Sequence, residues 1–165
     1  MTTVAVSAGE TATSKTRALA TAVLEAAGGG QLVELRDLSA DGLLGRTDDA
    51  DVAAAVDAAA SASILILASP VYRATVTGAL KSFLDRFPAE ALRETAVVLV
   101  ATAGSPLHYL SLDTSGRALV ASLGGWTVPT VVYATGDDFV DGSPGPALLT
   151  TVERAVAEAK RLAPA

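Results

Sequence analysis

The sequence has no cysteine and a single histidine, His108, among its 165 residues. Without cysteine, the chain has no disulfide framework, no thiolate nucleophile, no iron–sulfur cluster and no cysteine-based zinc site. One histidine also excludes a metal site built from several histidines of the same chain. The sequence therefore predicts no metal centre, and any histidine-based catalysis would depend on His108 alone.

Long apolar runs and basic clusters are missing as well. No segment approaches the roughly 18–20 apolar residues that a membrane span needs, and no basic residues of a secretory signal follow Met1. The net charge is −6, from 12 basic and 18 acidic side chains, which argues against a nucleic-acid-binding surface. We therefore expect a soluble, cytoplasmic protein without a membrane or nucleic-acid partner.

Short apolar runs alternate with helical patterns along the chain. The patterns predict strands at 3–8, 32–35, 63–68, 96–100 and 128–133, and helices at 14–27, 49–60, 77–87, 107–123 and 147–162. Segments 39–49 and 137–146 are predicted as loops, and the stretch 113–116 weakens the fourth helix. The continuous apolar run at 63–68 is typical of a strand buried on both faces of a parallel sheet.

This alternation predicts one α/β domain over residues 1–165. The expected architecture is a flavodoxin-like, doubly wound, five-stranded parallel sheet with strand order 2-1-3-4-5 and helices on both faces. In such sheets, ligands bind at the carboxyl ends of the strands, near the point where the strand order reverses. Three loops end there, at 8–14, 69–75 and 102–108.

The first of these loops leads into the N-terminus of a helix. Free backbone amides and the helix dipole favour an anion at such a position, and hydroxyl side chains with Lys15 add further donors. The loop matches neither the P-loop nor the G-x-G-x-x-G pattern. Ser14 is equally well explained as an ordinary N-cap, so a phosphate site and a simple capped turn both stay open here.

The second and third loops offer other groups to a ligand. Pro70 stiffens the second loop, and Tyr72 and Arg73 offer an aromatic ring and a fixed charge, although a plain strand–helix connection with Tyr72 half-buried explains them too. Small residues in the third loop would let a flat ligand approach the backbone. His108 fits a hydrogen-bonding or capping role, and a Ser105–His108 nucleophile pair lacks the G-x-S-x-G context of a hydrolase.

Three segments resemble NAD(P)H-dependent FMN reductases. The segment from Ser69 to Asp85 closely resembles the third strand and third helix of that family. Segment 101–108 resembles the family's Thr-Gly-Gly loop with its following histidine, and segment 14–16 resembles the Ser-Arg-Thr that ends its phosphate loop. The resemblance covers nearly the whole chain, and it is strongest to the branch that serves sulfonate-assimilating monooxygenases.

The resemblance implies an oxidoreductase that transfers a hydride from NADPH or NADH to FMN. It further implies that reduced FMN is supplied to a flavin-dependent monooxygenase, that the protein is a homodimer or homotetramer, and that no side chain is catalytic in itself. The first loop would hold the FMN phosphate, the second would line the ribityl chain, and the third would meet the pyrimidine edge. The implied cofactor-binding residues are Gly9, Thr11, Thr13, Ser14, Lys15, Thr16, Pro70, Val71, Tyr72, Arg73, Thr102, Ala103, Gly104, Ser105 and His108.

The chain departs from the family pattern at three places. Glu10 puts an acid into the phosphate loop where the family has Gly-Ser-Pro, and Ala103 replaces the first glycine of a Gly-Gly pair. Thr114 stands where some members carry an aromatic residue at the subunit interface. The first departure is expected to affect phosphate affinity, and the third the oligomeric state.

Other interpretations stay open at this point. An enzyme of the same fold with bound FMN would pass electrons to a quinone, an azo dye or a metal ion. A flavodoxin-type electron carrier would dock to protein partners without oxidising NAD(P)H, and a chain that has lost flavin would serve as an interaction module. The preference for NADPH or NADH is also open, because Arg46, Arg73 and Arg117 are all candidates to meet a 2′-phosphate.

Overall fold

The computed structural model describes residues 1–164 as a twisted sheet between layers of helices. The strands are β1 (Thr3–Ser7), β2 (Gln31–Glu34), β3 (Ile64–Pro70), β4 (Ala96–Thr102), β5 (Trp126–Thr127), β6 (Val132–Ala134), β7 (Phe139–Val140) and β8 (Ser143–Pro144). The α-helices are α1 (Lys15–Ala27), α2 (Ala40–Leu43), α3 (Ala50–Ala60), α4 (Gly78–Leu84), α5 (Arg117–Ser122) and α6 (Pro146–Leu162).

The central sheet is parallel and has the order β2-β1-β3-β4-β5, which confirms the predicted fold class. The register places Val6 between Val33 of β2 and Leu67 of β3. Every residue of β1, β3 and β4 is buried, as the continuous apolar runs predicted. Because β1, β3 and β4 are parallel neighbours, the loops that follow them lie side by side at one edge of the sheet.

In place of the last predicted strand, at 128–133, the structure has two short strands, β5 and β6, which pair with different parts of β4 and leave 128–131 between them. Pro129 lies in the gap, and its missing N–H cannot join a ladder. Arg117 bridges the gap by donating hydrogen bonds to the carbonyls of Val128 and Pro129, at 2.9 and 2.8 Å. The prediction of one continuous strand at 128–133 was therefore wrong, whereas its edge position is confirmed.

Helices cover both faces of the sheet, as predicted. Leu19 of α1 and Val152 of α6 belong to one core, and Val52 of α3, Phe83 of α4 and Val120 of α5 belong to the other. Full burial of each such side chain contributes about 1.5–3 kcal/mol to the stability. Within residues 1–164, no helix combines the length and the apolar character that a membrane crossing requires.

The helix predicted at 107–123 is irregular in the structure. A 3₁₀ turn at Pro106–His108 and a π-helical turn at Leu112–Gly116 precede α5. Ser115 and Thr114 turn their hydroxyls back onto the carbonyls of Ser111 and Leu110, at 2.6 and 2.9 Å. Such side-chain hydrogen bonds compete with the backbone hydrogen bonds of an α-helix, which explains why this stretch is π-helical.

Two predicted loops contain short regular elements. The segment 39–49 includes α2, and the segment 137–146 includes the antiparallel pair β7–β8. Both predictions were therefore incomplete. Elements of two to four residues are too short to show a hydrophobic period.

Candidate functional site

A cleft of about 300 Å³ opens at the carboxyl ends of the strands. It is lined by Lys15, Pro70, Val71, Tyr72, Thr102, Ala103, Gly104, Thr135 and Gly136. All but the last two are predicted site residues, drawn from all three loops. Thr135 and Gly136 were missed, although their position directly after the last strand places them at the same edge of the sheet.

The first loop forms a tight turn in front of α1. Ser14 is the N-cap, with its hydroxyl accepting a hydrogen bond from the Arg17 amide at 3.1 Å. A Cβ atom on Gly9 would lie 2.1 Å from the Ser14 hydroxyl oxygen, so the turn requires glycine there. The capped-turn interpretation of Ser14 is therefore confirmed.

Backbone amides of the first loop remain free to bind a ligand. The Ser14 amide donates to the Thr11 carbonyl at 3.1 Å, and the Gly9 amide donates to the Ser7 hydroxyl at 3.3 Å. For the amides of residues 10–13, the described chain provides no hydrogen-bond acceptor. Thr11 and Thr13 are exposed alongside them. Free amides at the N-terminus of a helix of 13 residues are suited to bind a phosphate.

Lys15 and Thr16 make contacts with other parts of the protein. The Lys15 ammonium donates to the Gly136 carbonyl at 3.4 Å and lies 5.5 Å from the centre of the Phe139 ring. Thr16 is buried, and its hydroxyl lies 2.5 Å from that of Thr102. Lys15 thus forms part of the cleft wall, whereas Thr16 fastens α1 to the end of β4. Their predicted contact with a phosphate stays a prediction.

The second loop contains a two-residue turn. The amide and carbonyl groups of Tyr72 and Thr75 exchange hydrogen bonds of 3.1 and 3.2 Å. Arg73 and Ala74, between them, have φ values of 52° and 59°. This is a type I′ turn, which strains any residue other than glycine, asparagine or aspartate. The turn holds Tyr72, which is 48% exposed, at the mouth of the cleft, whereas Arg73 does not line it.

The side chains of Tyr72 in the second loop and Glu10 in the first loop lie close enough to influence each other. Partial burial raises the pKa of the Tyr72 hydroxyl, and the neighbouring Glu10 carboxylate raises it further. Tyr72 is therefore a neutral aromatic group at physiological pH. Glu10 is exposed and carries a negative charge into the loop whose free amides would attract an anion.

The third loop is anchored on both sides of the cleft. The Val71 amide donates to the Thr102 carbonyl at 2.8 Å, and the Ala103 amide donates to the Ala134 carbonyl at 2.9 Å. A Cβ atom on Gly104 would meet nothing within 4 Å, so the loop faces open space at this residue. A flat ligand can therefore approach the backbone there, as the small residues of the loop predicted.

Ser105 and His108 lie in the 3₁₀ turn that follows. The Ser105 hydroxyl accepts a hydrogen bond from the Leu107 amide at 3.2 Å and so acts as a cap. Within residues 1–164, no hydrogen bond joins its side chain to that of His108, so the geometry does not support a nucleophile pair. The His108 Nδ1 atom is buried and has no hydrogen-bond partner in the described residues. The hydrogen bond that we expected from the His108 side chain is therefore not formed by this nitrogen. Neither residue lines the cleft.

These features fit a flavin mononucleotide. The free amides before α1 suit its phosphate, the Tyr72 ring suits the edge of its ring system, and the open face at Gly104 suits a planar group. A parallel sheet of order 2-1-3-4-5 with such a cleft at the β1, β3 and β4 ends defines a flavodoxin-like protein with a ligand site where the strand order reverses.

Comparison with known proteins then identifies the family. The model of the NADPH-dependent FMN reductase family matches residues 1–139, and the chain belongs to this family. It is therefore an oxidoreductase that uses FMN together with NADH or NADPH. This membership favours an enzyme over the electron carrier and the flavin-free module.

Individual relatives agree with this assignment. The chain is 38% identical over 146 residues to the NADH-dependent FMN reductase SfnF of Pseudomonas fluorescens, covering 84% of this chain and 78% of the relative. It is 37% identical to an FMN reductase (NADPH) of Pseudomonas aeruginosa, covering 82% and 77%. A solved NADH:FMN oxidoreductase (EMOB), in its apo form, superposes with a TM-score of 0.91 at 30% identity, covering 99% of this chain and 90% of that one. The resemblance inferred from the sequence, including its branch, is confirmed.

Proposed function

We propose that the chain treats FMN as a diffusible substrate, reduces it with NADH or NADPH, and supplies it to a flavin-dependent monooxygenase. The observation that carries this proposal is the state of the phosphate loop. Two of its polar side chains are engaged elsewhere, with Ser14 capping α1 and Lys15 bonded to Gly136, so the backbone amides and the exposed Thr11 and Thr13 hydroxyls remain as ligands. Glu10 adds a negative charge beside them. Such a loop favours loose binding and release over permanent retention.

The residues of the cleft act by binding and positioning. FMN supplies the redox chemistry when bound, by taking up a hydride from the nicotinamide. The free amides before α1 would bind its phosphate, and Tyr72 would contact its ring system at the mouth of the cleft. Backbone amides of the third loop would stabilise negative charge at the pyrimidine edge. The proposal assigns no covalent role to any side chain.

The test is oxidation of NADH and NADPH in air by the purified protein, with and without added FMN. A rate that depends on added FMN and saturates with it supports a flavin substrate. Fast oxidation of nucleotide without added flavin contradicts diffusible FMN and favours bound FMN with a quinone or azo acceptor. If neither nucleotide is consumed when FMN is present, reductase activity itself is contradicted.

We further propose that the protein is a homodimer or homotetramer in the cytoplasm. A groove between α4 and the π-helical turn with α5 supports self-association, because most of its lining residues are small or apolar. They are Thr75, Val76, Gly78, Lys81, Ser115, Ala118, Leu119 and Ser122. The one charged group among these, Lys81, is paired with Asp85 at 2.6 Å. Thr75 belongs both to the groove and to the second loop, so an interface here would adjoin the cleft.

A further inference from the structure

Tyr133, on β6, lies beneath the third loop and does not line the cleft. Its hydroxyl donates a hydrogen bond to the Ser105 carbonyl at 2.5 Å, and the backbone N–H of His108 donates to the same carbonyl at 3.4 Å. The hydroxyl thus binds the carbonyl whose other donor, the His108 amide, closes the 3₁₀ turn. Removing it would leave the Ser105 carbonyl without this donor.

The remainder of Tyr133 is fixed by packing. Its ring meets that of Tyr109 edge to face, with centroids 5.5 Å apart and planes at 75°. Burial raises the pKa of its hydroxyl, so the group is a neutral donor throughout the physiological range. The next residue, Ala134, accepts the Ala103 amide at 2.9 Å. Adjacent residues of β6 therefore fasten the third loop on either side of Gly104.

We propose that Tyr133 is a positioning residue for the flavin ring, holding segment 103–108 in the conformation that receives the pyrimidine edge. The inference rests on the proposed function, because it requires that the third loop contact bound flavin. Without the hydroxyl the loop would sample other conformations, and binding would have to order it. The lost affinity concerns contacts with the flavin ring and not with the phosphate. The affinities for FMN and riboflavin should therefore fall equally.

The test uses Tyr133→Phe in the full chain, with the dissociation constants of FMN and riboflavin measured by quenching of flavin fluorescence. We expect both constants to rise about fivefold, the effect of one hydrogen bond. The KM for FMN should rise in parallel, while kcat at saturating flavin changes little. Hydrogen exchange should become faster in segment 103–108 and stay unchanged in β3 and β4.

Thr130→Val provides a matched control for stability. It removes the 2.8 Å hydrogen bond from the Thr130 hydroxyl to Glu158, just before β6 and away from the cleft. It should lower the midpoint of thermal unfolding to a similar degree without changing either flavin constant.

Two outcomes with Tyr133→Phe would overturn the inference. One is a lowered thermal midpoint with unchanged affinity for both flavins, which would make the hydroxyl merely structural. The other is a loss confined to FMN, which would point to the phosphate loop. If the unaltered chain binds no FMN and oxidises neither nucleotide, the proposed function fails and the inference fails with it. If the unaltered chain binds and reduces FMN and the variant binds both flavins with unchanged affinity, the inference about Tyr133 is contradicted and the proposed function is not.

Discussion

Glu10 has the wrong sign of charge for the proposed role of the first loop as a phosphate site. Replacing it by glutamine removes repulsion between a carboxylate and a phosphate near the free amides. At about 4 Å in water such a pair costs about 1 kcal/mol, so Glu10→Gln should tighten FMN binding two- to fivefold at low salt. Riboflavin, which has no phosphate, should bind as before. Titrations at low and high ionic strength check this, because salt should diminish the gain for FMN. An equal gain in affinity for riboflavin would mean that Glu10 affects binding through Tyr72 and not through the phosphate.

Tyr72 is the aromatic side chain that lines the cleft, whereas Asp137 is exposed just beyond its far wall. Tyr72→Ala should weaken FMN binding about five- to tenfold, because an aromatic contact contributes roughly 1 kcal/mol beyond the area it buries. Asp137→Ala serves as the control and should leave the constant unchanged. Flavin fluorescence titration of both variants gives the comparison, and equal constants would contradict the placement of the site.

The turn at the tip of the second loop places residues other than glycine at positive φ values, which they disfavour. Ala74 has a φ of 59°, a region in which glycine is comfortable and alanine is not. Ala74→Gly should therefore increase the free energy of unfolding by about 0.5–1 kcal/mol, as measured by urea denaturation. The same change at Ala53, exposed within α3, should decrease it by about 1 kcal/mol. Destabilisation by both changes would exclude strain at the turn.

Glu34 connects three elements at one end of β2. Its carboxylate accepts hydrogen bonds from the Nε atoms of Arg17 in α1 and Arg36 in the following 3₁₀ turn, each at 3.0 Å. Burial tends to raise the pKa of Glu34, but the hydrogen bonds from Arg36 and Arg17 outweigh it, and the pKa is lowered. Because the folded-state pKa lies below the unfolded value, the stabilisation is complete at neutral pH. It is lost as the pH falls through the folded value.

Glu34→Gln should consequently lower the free energy of unfolding by about 1 kcal/mol at pH 7. The difference from the parent should narrow as the pH drops below the ordinary glutamate pKa of about 4.3, where the parent's own carboxyl becomes neutral. Urea denaturation of both proteins across the acid range checks this. A difference that stays constant into acid would show that the carboxylate charge contributes nothing.

At the scale of the whole molecule, the sheet was predictable because buried parallel strands such as β3 and β4 have continuous apolar sequences. The position of the cleft followed from the sheet order, since ligands bind where the order reverses. The break at Pro129 was not predicted, because Arg117, which binds the carbonyls of Val128 and Pro129, belongs to a different element and leaves no local pattern. Tyr133 was missed for the same reason, because its partner Ser105 is 28 residues away in sequence.

The proposed self-association concerns the whole molecule, and it would connect the groove to the site. Ala118 is exposed within the groove, and Ala118→Arg would bury an unpaired charge at an interface formed there. Because such burial costs about 3 kcal/mol, the subunit dissociation constant should rise roughly a hundredfold, as measured by analytical ultracentrifugation. Ala157→Arg, on the exposed face of α6, adds the same charge elsewhere and should leave association unchanged. A monomeric parent, or equal effects of the two changes, would contradict an interface at this groove.

Since Thr75 lies in both the groove and the second loop, dissociation should also weaken FMN binding.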